Sequence, residues 1–338
     1  MAGIGGGRAE GLPVSPARPR PFRGNVPLKT AVPEIPSRGI LVPGVASLAI
    51  RPLLDGQRRR ARVLAALPTG IYLEFRAPVS EPRVVALATS AAVCLPNAVV
   101  VKLPAPRAAD SGPGPLAAGT AADDTWAQDA WATDAWVGDG CIEAGNLEVW
   151  IRRWWDPSPV LGPLSRVRLD QGAAVLQRAC ATAGKRPGLD GHDAPVRLAD
   201  CCGAGDLAGA VAAAEHLVGL GPGLTPSGDN VIIGLLLALR LLGGAISGGT
   251  RPVWLADWLG AAVTCYAAER TTPLAATLLH CAARGQAAAE VSAVLRGFAG
   301  QEPVEPAARR LLASGHAGAD LTYGLVAGCR AALALSAQ

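Results

Sequence analysis

The chain of 338 residues has few of the side chains on which most catalytic sites depend. Only 4% of its residues are aromatic and 17% are charged, and it has four histidines and one methionine. Because the four histidines lack the spacing of metal ligands, we expect no metal site and no cofactor. Aromatic residues do not alternate with the basic ones, so a nucleic-acid-binding protein is also disfavoured.

Long apolar runs are absent. The longest, Val231–Leu239, has nine residues, whereas a helix that spans a bilayer needs about 20. The first residues show no apolar core of a secretory signal, and the eight cysteines include no C-x-x-C pair. We therefore expect reduced, mostly buried cysteines in a cytoplasmic protein that does not enter a membrane.

Residues 1–38 are predicted to be a disordered basic tail. Residues 1–40 hold six basic and two acidic side chains, which gives +4, together with seven prolines and seven glycines. Chain of this composition buries too little apolar surface to fold. Since +4 is also the formal net charge of the whole protein, the remainder is expected to be close to neutral.

Short apolar runs separated by Pro, Gly or Asn dominate residues 39–160. Gly70–Phe75 is one example, and in Asn146–Trp154 apolar and polar residues alternate. The pattern predicts a β-rich domain, namely a small antiparallel barrel or sandwich of about five to seven strands.

A low-complexity insertion is predicted at 105–137, inside the β-rich domain. It contains Trp126, Trp131 and Trp136, five residues apart. A spacing of five fits neither the helix nor the strand period, so these rings do not share one face. We assign the insertion no chemistry.

Beyond Pro163 the apolar period changes to 3.6, which predicts an all-α domain at 161–338 and an α+β fold class. Eight helices are predicted, at Leu164–Ala183, Asp206–Val218, Pro226–Leu242, Pro252–Glu269, Pro273–Arg284, Ala287–Ala299, Pro306–Ala313 and Ala319–Leu335.

The stretch Gly219–Asn230, Gly-Leu-Gly-Pro-Gly-Leu-Thr-Pro-Ser-Gly-Asp-Asn, directly precedes the most apolar run. Thr225 fits the N-cap of the following helix, and Pro226 its first position. The first-turn N–H groups and the positive helix end would bind an anion, and Gly228 would allow a close approach. The P-loop lysine is missing, which excludes a nucleotide P-loop. A capped turn between two helices fits the same residues.

A second helix start resembles the first. The six-residue interval of Gly228–Gly234 recurs at Gly318–Gly324, with Asp229 near the first start and Asp320 near the second. A functional interpretation places both positive helix ends in one pocket, whereas chance similarity of two Gly- and Leu-rich helices is the alternative.

Between the two starts lies Arg270-Thr271-Thr272-Pro273. Thr272 fits the N-cap of a helix that begins at Pro273. Arg270 carries the planar fork that binds a carboxylate or phosphate, although a surface or capping arginine fits equally well.

Gly219–Asp229 and the apolar helix after it resemble the signature of the AllH-like proteins, formerly a domain of unknown function. Arg270–Thr272, Ser314–Asp320 and Trp154–Pro157 resemble other blocks of that family, and the resemblance covers about residues 40–335. It implies a subunit of oxamate carbamoyltransferase, which works beside an FdrA-like subunit and a third subunit in allantoin breakdown. The implied reaction interconverts oxamate plus carbamoyl phosphate with oxalurate plus phosphate.

The chain departs from the family pattern in three places. Asn230 stands where a second Asp is usual, Ala317 and Ala319 weaken the polar second block, and the tryptophan insertion is an addition. Because Asn230 removes one charge from the expected site, a substrate other than oxamate stays open.

No activated nucleophile stands out in the sequence, so we expect the substrate amide to attack bound carbamoyl phosphate directly. Asp229 would hold or deprotonate that amide, Arg270 would hold a carboxylate or phosphate, and His316 is the third candidate catalytic residue. The expected substrate-binding residues are Gly221, Gly223, Thr225, Ser227, Gly228, Asn230, Thr271, Thr272, Ser314 and Asp320.

Two other functions fit the same residues. The first is a non-catalytic subunit that binds ligands or supports assembly while a partner carries the chemistry, because acid and base candidates are few. The second is a different acyl- or carboxamide-forming enzyme on the same scaffold, because of the departure at Asn230.

Overall fold

The computed structural model describes residues 40–67, 69–75, 82–89, 93–102, 135–184, 187–189 and 191–337. These residues belong to one compact unit, Ser37–Gln338. The predicted tail at 1–38 lies outside the described residues, and so do Trp126 and Trp131.

The described part of the N-terminal half contains eight strands. Their bounds are β1 Ile40–Ser47, β2 Arg59–Leu67, β3 Gly70–Glu74, β4 Val84–Thr89, β5 Ala98–Val101, β6 Ala135–Gly138, β7 Cys141–Ala144 and β8 Leu147–Trp155. They form a closed barrel in the order β1-β5-β4-β3-β2-β6-β7-β8, and β8 pairs with β1. A 3₁₀ turn at Leu48–Ile50 and a helical turn at Arg51–Leu54 follow β1.

The α+β class is confirmed, but the sandwich alternative is wrong because the sheet closes on itself. The expected antiparallel arrangement also needs correction, since β1–β8 and β4–β5 pair in parallel. Closure joins the first strand to the last, which local alternation of residues does not reveal. Strand β6 includes Trp136, so the barrel begins again before the end of the predicted insertion.

The barrel strands show the alternation of buried and exposed side chains that is typical of β-structure. In β8, Leu147 and Val149 are buried, whereas Trp150 is exposed. In β4 five consecutive residues are buried, because one face fills the barrel and the other packs on the helices. Val85 accordingly belongs to the barrel core and Val84 to the helical core.

In the described part of the C-terminal half, nine main helices follow the barrel. Their bounds are α1 Arg166–Thr182, α2 Ala194–Ala204, α3 Leu207–Leu217, α4 Ser227–Leu237, α5 Thr250–Arg270, α6 Pro273–Ala283, α7 Ala289–Phe298, α8 Val304–Leu312 and α9 His316–Leu335. A π-helical turn at Ala238–Leu242 and a helical turn at Gly243–Ala245 extend α4. All eight predicted helices are found, and α2 is an addition whose shortness and glycine at 203 weakened its signal.

Helix α4 is buried at every residue and packs most extensively against α9. A Cβ added to Gly324 would lie 2.0 Å from the Val231 carbonyl oxygen, and one added to Gly328 would lie 2.6 Å from the Ala238 Cβ. These contacts advance along both helices in the same direction. The helices therefore run parallel, and both begin at the same end of the pair.

The glycine repeat has a structural explanation. A Cβ on Gly234 would lie 2.4 Å from the Leu321 carbonyl oxygen, the counterpart of the contact between Gly324 and Val231. The two helices thus contact each other reciprocally at equivalent positions of the repeat. The similarity is a packing pattern shared by the two helices.

One helical stretch, Ser227–Ala245, is long and apolar enough to cross a membrane by length and composition. In the fold, 78% of the most apolar segment of this stretch is buried inside the protein. The stretch is accounted for as the central core helix of the helical part.

Hydrogen bonds fix the barrel against the helices. The Thr277 hydroxyl of α6 accepts the N–H groups of Arg83 (3.0 Å) and Val84 (3.1 Å) at the start of β4. At the start of α7, the Ala289 N–H donates to the Cys94 carbonyl at 3.0 Å. A cavity lined by residues of both parts also lies between the barrel and the helices.

Candidate functional site

The start of α4 leaves backbone donors free. Pro226, rather than Thr225, occupies the N-cap position, and no side chain caps the helix. The Gly228 N–H donates to the Leu220 carbonyl at 2.9 Å. Within the described part of the chain, no acceptor pairs with the N–H groups of Ser227 and Asp229. Of the first-turn N–H groups that were expected to be free, only those of Ser227 and Asp229 lack an acceptor, because Gly228 already donates to Leu220.

Gly228 itself is required by packing. A Cβ at this position would lie 1.9 Å from the Leu217 carbonyl oxygen at the end of α3. The glycine lets α4 begin directly against α3, so its place in the motif is explained without a ligand.

Asp229 is fully buried and holds the surrounding loops together. Its Oδ1 accepts the Gly219 N–H at 3.0 Å, and its Oδ2 accepts the Thr271 hydroxyl. Burial raises the pKa of Asp229 to about 6 from its usual 3.8, although these two hydrogen bonds lower it. Both carboxylate oxygens thus have partners within the protein.

The turn between α5 and α6 is tied to the glycine-rich loop. Thr272 caps α6 as predicted, because its hydroxyl accepts the Ala275 N–H at 3.0 Å. The same hydroxyl donates to the Leu224 carbonyl at 2.5 Å. Together with the Thr271–Asp229 bond, this connects two of the sequence blocks that resemble the AllH-like family.

The guanidinium of Arg270 interacts with side chains of α3 and α5 rather than with Asp229. It pairs with Glu215 of α3 at 2.8 Å and lies over the Tyr266 ring, 5.7 Å from its centroid. The Arg270 side chain is 49% exposed. In this arrangement Arg270 joins α5 to α3 at the surface.

Asp320 is the second buried carboxylate near the helix starts. Helix α9 begins at His316, three residues before the predicted Ala319, so Asp320 lies one turn inside it. Its Oδ1 accepts the Gly188 N–H at 2.7 Å. Its Oδ2 is buried and has no partner in normal hydrogen-bond geometry among the described residues.

The surroundings of Asp320 link the two helix starts. Burial raises the pKa of Asp320, while the Ser227 hydroxyl, the Gly188 N–H and the exposed His316 ring lower it. A Cβ on Gly188 would lie 2.3 Å from the Ser227 hydroxyl oxygen, and one on Gly221 would lie 2.9 Å from the Ser227 nitrogen. Two glycines thus leave narrow space around Ser227, and we call Ser227, Asp229, Asp320, Gly188 and Gly221 the helix-start cluster.

Several predicted substrate-binding residues lie elsewhere. Thr225, Asn230 and Ser314 line the cavity between barrel and helices. The Asn230 amide donates to the Thr225 carbonyl at 3.0 Å, which closes the loop before α4. Gly223 is exposed at the loop tip, and no atom approaches its Cβ position within 4 Å.

Sequence reasoning missed Gly188, which lies in a short connection with no motif of its own. It also missed a cavity of about 610 Å³ between α1, α2 and α9. Its walls include Tyr323, Arg330 and the buried Thr322, whose hydroxyl has no hydrogen-bond partner among the residues that the structure describes. For Thr322, Tyr323 and Arg330, the sequence signal was their position on α9, the second helix of the glycine repeat.

One group of possible metal ligands occurs among the described residues, at Cys141, Glu143 and Glu148 of the barrel. Arg58 pairs with Glu143, and the Trp150 indole donates to Glu148 at 2.8 Å. Burial, reinforced by the two carboxylates, raises the pKa of the Cys141 thiol to about 11. A protonated thiol and two partnered carboxylates make a poor cation site.

A family model described as oxamate carbamoyltransferase subunit AllH matches residues 217–329. No curated protein and no solved structure matches the chain. The matched segment contains the loop before α4, the α5–α6 turn and the start of α9, which are the parts that the hydrogen bonds above bring together. The resemblance is thereby confirmed over residues 217–329, where this chain is similar to the AllH family.

Proposed function

We propose that the chain is a subunit of an oxamate carbamoyltransferase-like enzyme and that it binds the acceptor substrate at the helix-start cluster. One observation carries this proposal. Within the described chain, the N–H groups of Ser227 and Asp229 lack acceptors at a positive helix end, close to the Oδ2 of Asp320, which has no hydrogen bond of normal geometry. Oxamate has a carboxylate that accepts from such donors and an amide that donates to such an acceptor.

The chemistry assigned to this cluster is direct carbamoyl transfer. The amide nitrogen attacks the carbonyl carbon of carbamoyl phosphate, a C–N bond forms, and the C–O bond to phosphate breaks. The nitrogen loses a proton, which Asp320 accepts, and His316 passes it to solvent from its exposed position. The free N–H groups stabilise negative charge in this step.

Asp229 has a supporting role in this mechanism and Asp320 the reacting one. The oxygens of Asp229 are occupied by Gly219 and Thr271, so a substrate amide would have to displace one of them. Among the described residues, the Oδ2 of Asp320 has no hydrogen bond of normal geometry, so a substrate amide has only the nearby Ser227 hydroxyl to compete with. The matched family supports the subunit role, while the assignment of roles rests on the hydrogen bonds.

A second candidate is a subunit that binds oxamate but leaves bond making to a partner. No lysine or arginine among the described residues pairs with Ser227 or Asp320. Carbamoyl phosphate is a dianion whose binding is favoured by cations. An FdrA-like partner or the third subunit would supply them, which favours a shared active site.

The test measures oxamate-dependent phosphate release by the complex reconstituted with its partner subunits. We expect Asp320→Asn to lower kcat by roughly 10²–10⁴-fold, the range for losing an acid–base group. Asp257→Asn is the matched control, because Asp257 pairs with Arg240 on the exposed side of α5. If Asp320→Asn raises KM and leaves kcat unchanged, the binding-only role is correct. Full activity with unchanged KM would refute the site.

A further inference from the structure

A second cavity lies where the barrel meets the helices. It has a volume of about 300 Å³, which is at the lower end of the range for small-molecule sites. Tyr72 and Leu95 form its barrel side, and Ile233 of α4 and Leu278 of α6 form its helical side. We call it the junction cavity. It is separate from the helix-start cluster, none of whose members lines it.

Charge makes the junction cavity unsuitable for an anion such as oxamate. Among the described residues that line it there is no lysine, arginine or histidine, and Glu290 is the one ionisable acid. Glu290 lies in the first turn of α7, where the helix end favours its negative charge. A second anion in an apolar cavity beside this carboxylate would be repelled.

Glu290 also has unused hydrogen-bonding capacity. Its Oε2 is buried and has no hydrogen-bond partner within the described chain. Leaving a buried acceptor unpaired is unfavourable in free energy, and more so for a charged group. A ligand that donates N–H groups to Glu290 would recover that free energy.

The other polar residues of the wall are uncharged, namely Tyr72, Thr225, Asn230, Gln286 and Ser314. The Asn230 amide nitrogen donates to Thr225, so its carbonyl oxygen is the part left for a ligand donor. Burial raises the pKa of Tyr72, which therefore remains a neutral phenol. The remaining walls are mostly aliphatic, so the cavity combines one carboxylate and a few neutral polar groups with a large apolar surface.

We propose that the junction cavity binds a small hydrophobic amine, whose ammonium group pairs with Glu290 while its hydrocarbon part fills the space between barrel and helices. The site is distinct from the proposed carbamoyl-transfer site in ligand charge and in position. Because the ligand contacts both parts of the fold, its binding stabilises the native protein as a whole.

The experiment uses the full chain and three probes of similar size, namely benzylamine, benzyl alcohol and benzoate. Isothermal titration gives the affinities, and the thermal midpoint reports stabilisation. We expect benzylamine to bind at least about tenfold more tightly than benzyl alcohol, which is a difference of about 1.4 kcal/mol, and benzoate not to bind. Absence of benzylamine binding, or equal affinity for benzoate, overturns the proposal without any variant.

Two variants locate the binding. Glu290→Gln should reduce benzylamine affinity to that of benzyl alcohol, and Leu278→Trp should abolish the binding of both by filling the cavity. Glu305→Gln is the matched control, because Glu305 occupies the first turn of α8 but is exposed. Benzylamine affinity that Glu290→Gln and Leu278→Trp both leave unchanged would show that it binds elsewhere, and the proposal would be wrong.

Discussion

The buried carboxyl of Asp229 should make the stability of this protein depend on pH in an unusual direction. Its pKa is about 6 in the folded protein and 3.8 as the usual value, so the folded state holds the proton more tightly than the unfolded state. The contribution to stability is therefore fully present below the unfolded pKa and is lost as pH rises through 6.

The size of this effect follows from the shift. A raise of about 2 pKa units corresponds to roughly 3 kcal/mol between the fully protonated and fully ionised limits. Between pH of about 7.5 and about 4.5, linkage gives about 2 kcal/mol of that total. Since Asp229 is fully buried, solvent does not screen these interactions appreciably.

Asp229→Asn isolates this contribution. The amide keeps an oxygen to accept the Gly219 N–H, and its nitrogen donates to the Thr271 hydroxyl oxygen, so we expect the fold to be retained. Urea unfolding of wild type and variant across this pH range gives the difference in free energy of unfolding, in which other titrating groups cancel. As the pH falls, the free energy of unfolding of wild type should rise by about 2 kcal/mol relative to that of the variant. A difference that stays constant within about 0.5 kcal/mol would refute the assignment of a raised pKa.

Three further outcomes are expected. Gly324→Ala should destabilise the protein by about 1–3 kcal/mol, because the new Cβ would lie 2.0 Å from the Val231 carbonyl. The control Gly203→Ala should be neutral or stabilising, because its Cβ meets no atom within 4 Å. Equal thermal midpoints of the two variants would contradict this prediction. A thiol reagent should label Cys265 first, as it is the exposed cysteine, and a rapid phase that persists in Cys265→Ser would disprove that. Arg270→Ala should cost no more than about 1 kcal/mol of stability and leave oxamate affinity unchanged, so a large loss of affinity would place Arg270 at the ligand.

The helical half was largely predictable because its signals are local. The apolar run after Asn230 predicted a buried helix, and Thr272-Pro273 predicted a helix start, which the structure confirms. The start at Thr225 was predicted wrongly, since Pro226 takes the N-cap position there. Threonine is locally favoured as an N-cap, but the conformation of the loop overrides this preference. In that loop the Gly228 N–H donates to the Leu220 carbonyl instead of to a capping side chain.

The barrel and the site depended on contacts that no local pattern encodes. Strand alternation predicted β-structure, but closure through the parallel β1–β8 pair joins segments far apart in sequence. Likewise, Gly188 reaches Asp320 and Ser227 from a connection without any motif. Motif spacing therefore identified the start of α4, while the partner that completes it became visible only in three dimensions.

The parallel packing of α4 and α9 gives a physical reason for two buried acids. Two helix starts side by side bring together two positive ends, each equivalent to about half a charge. Asp229 and Asp320 lie near these ends and offset that repulsion. Compensation alone would be most stable with every carboxylate oxygen hydrogen-bonded, as at Asp229. Among the described residues, the buried Oδ2 of Asp320 has no hydrogen bond of normal geometry, although the Ser227 hydroxyl lies close enough to lower the Asp320 pKa. Charge compensation does not explain this under-used oxygen, whereas the substrate amide that we propose would donate to it.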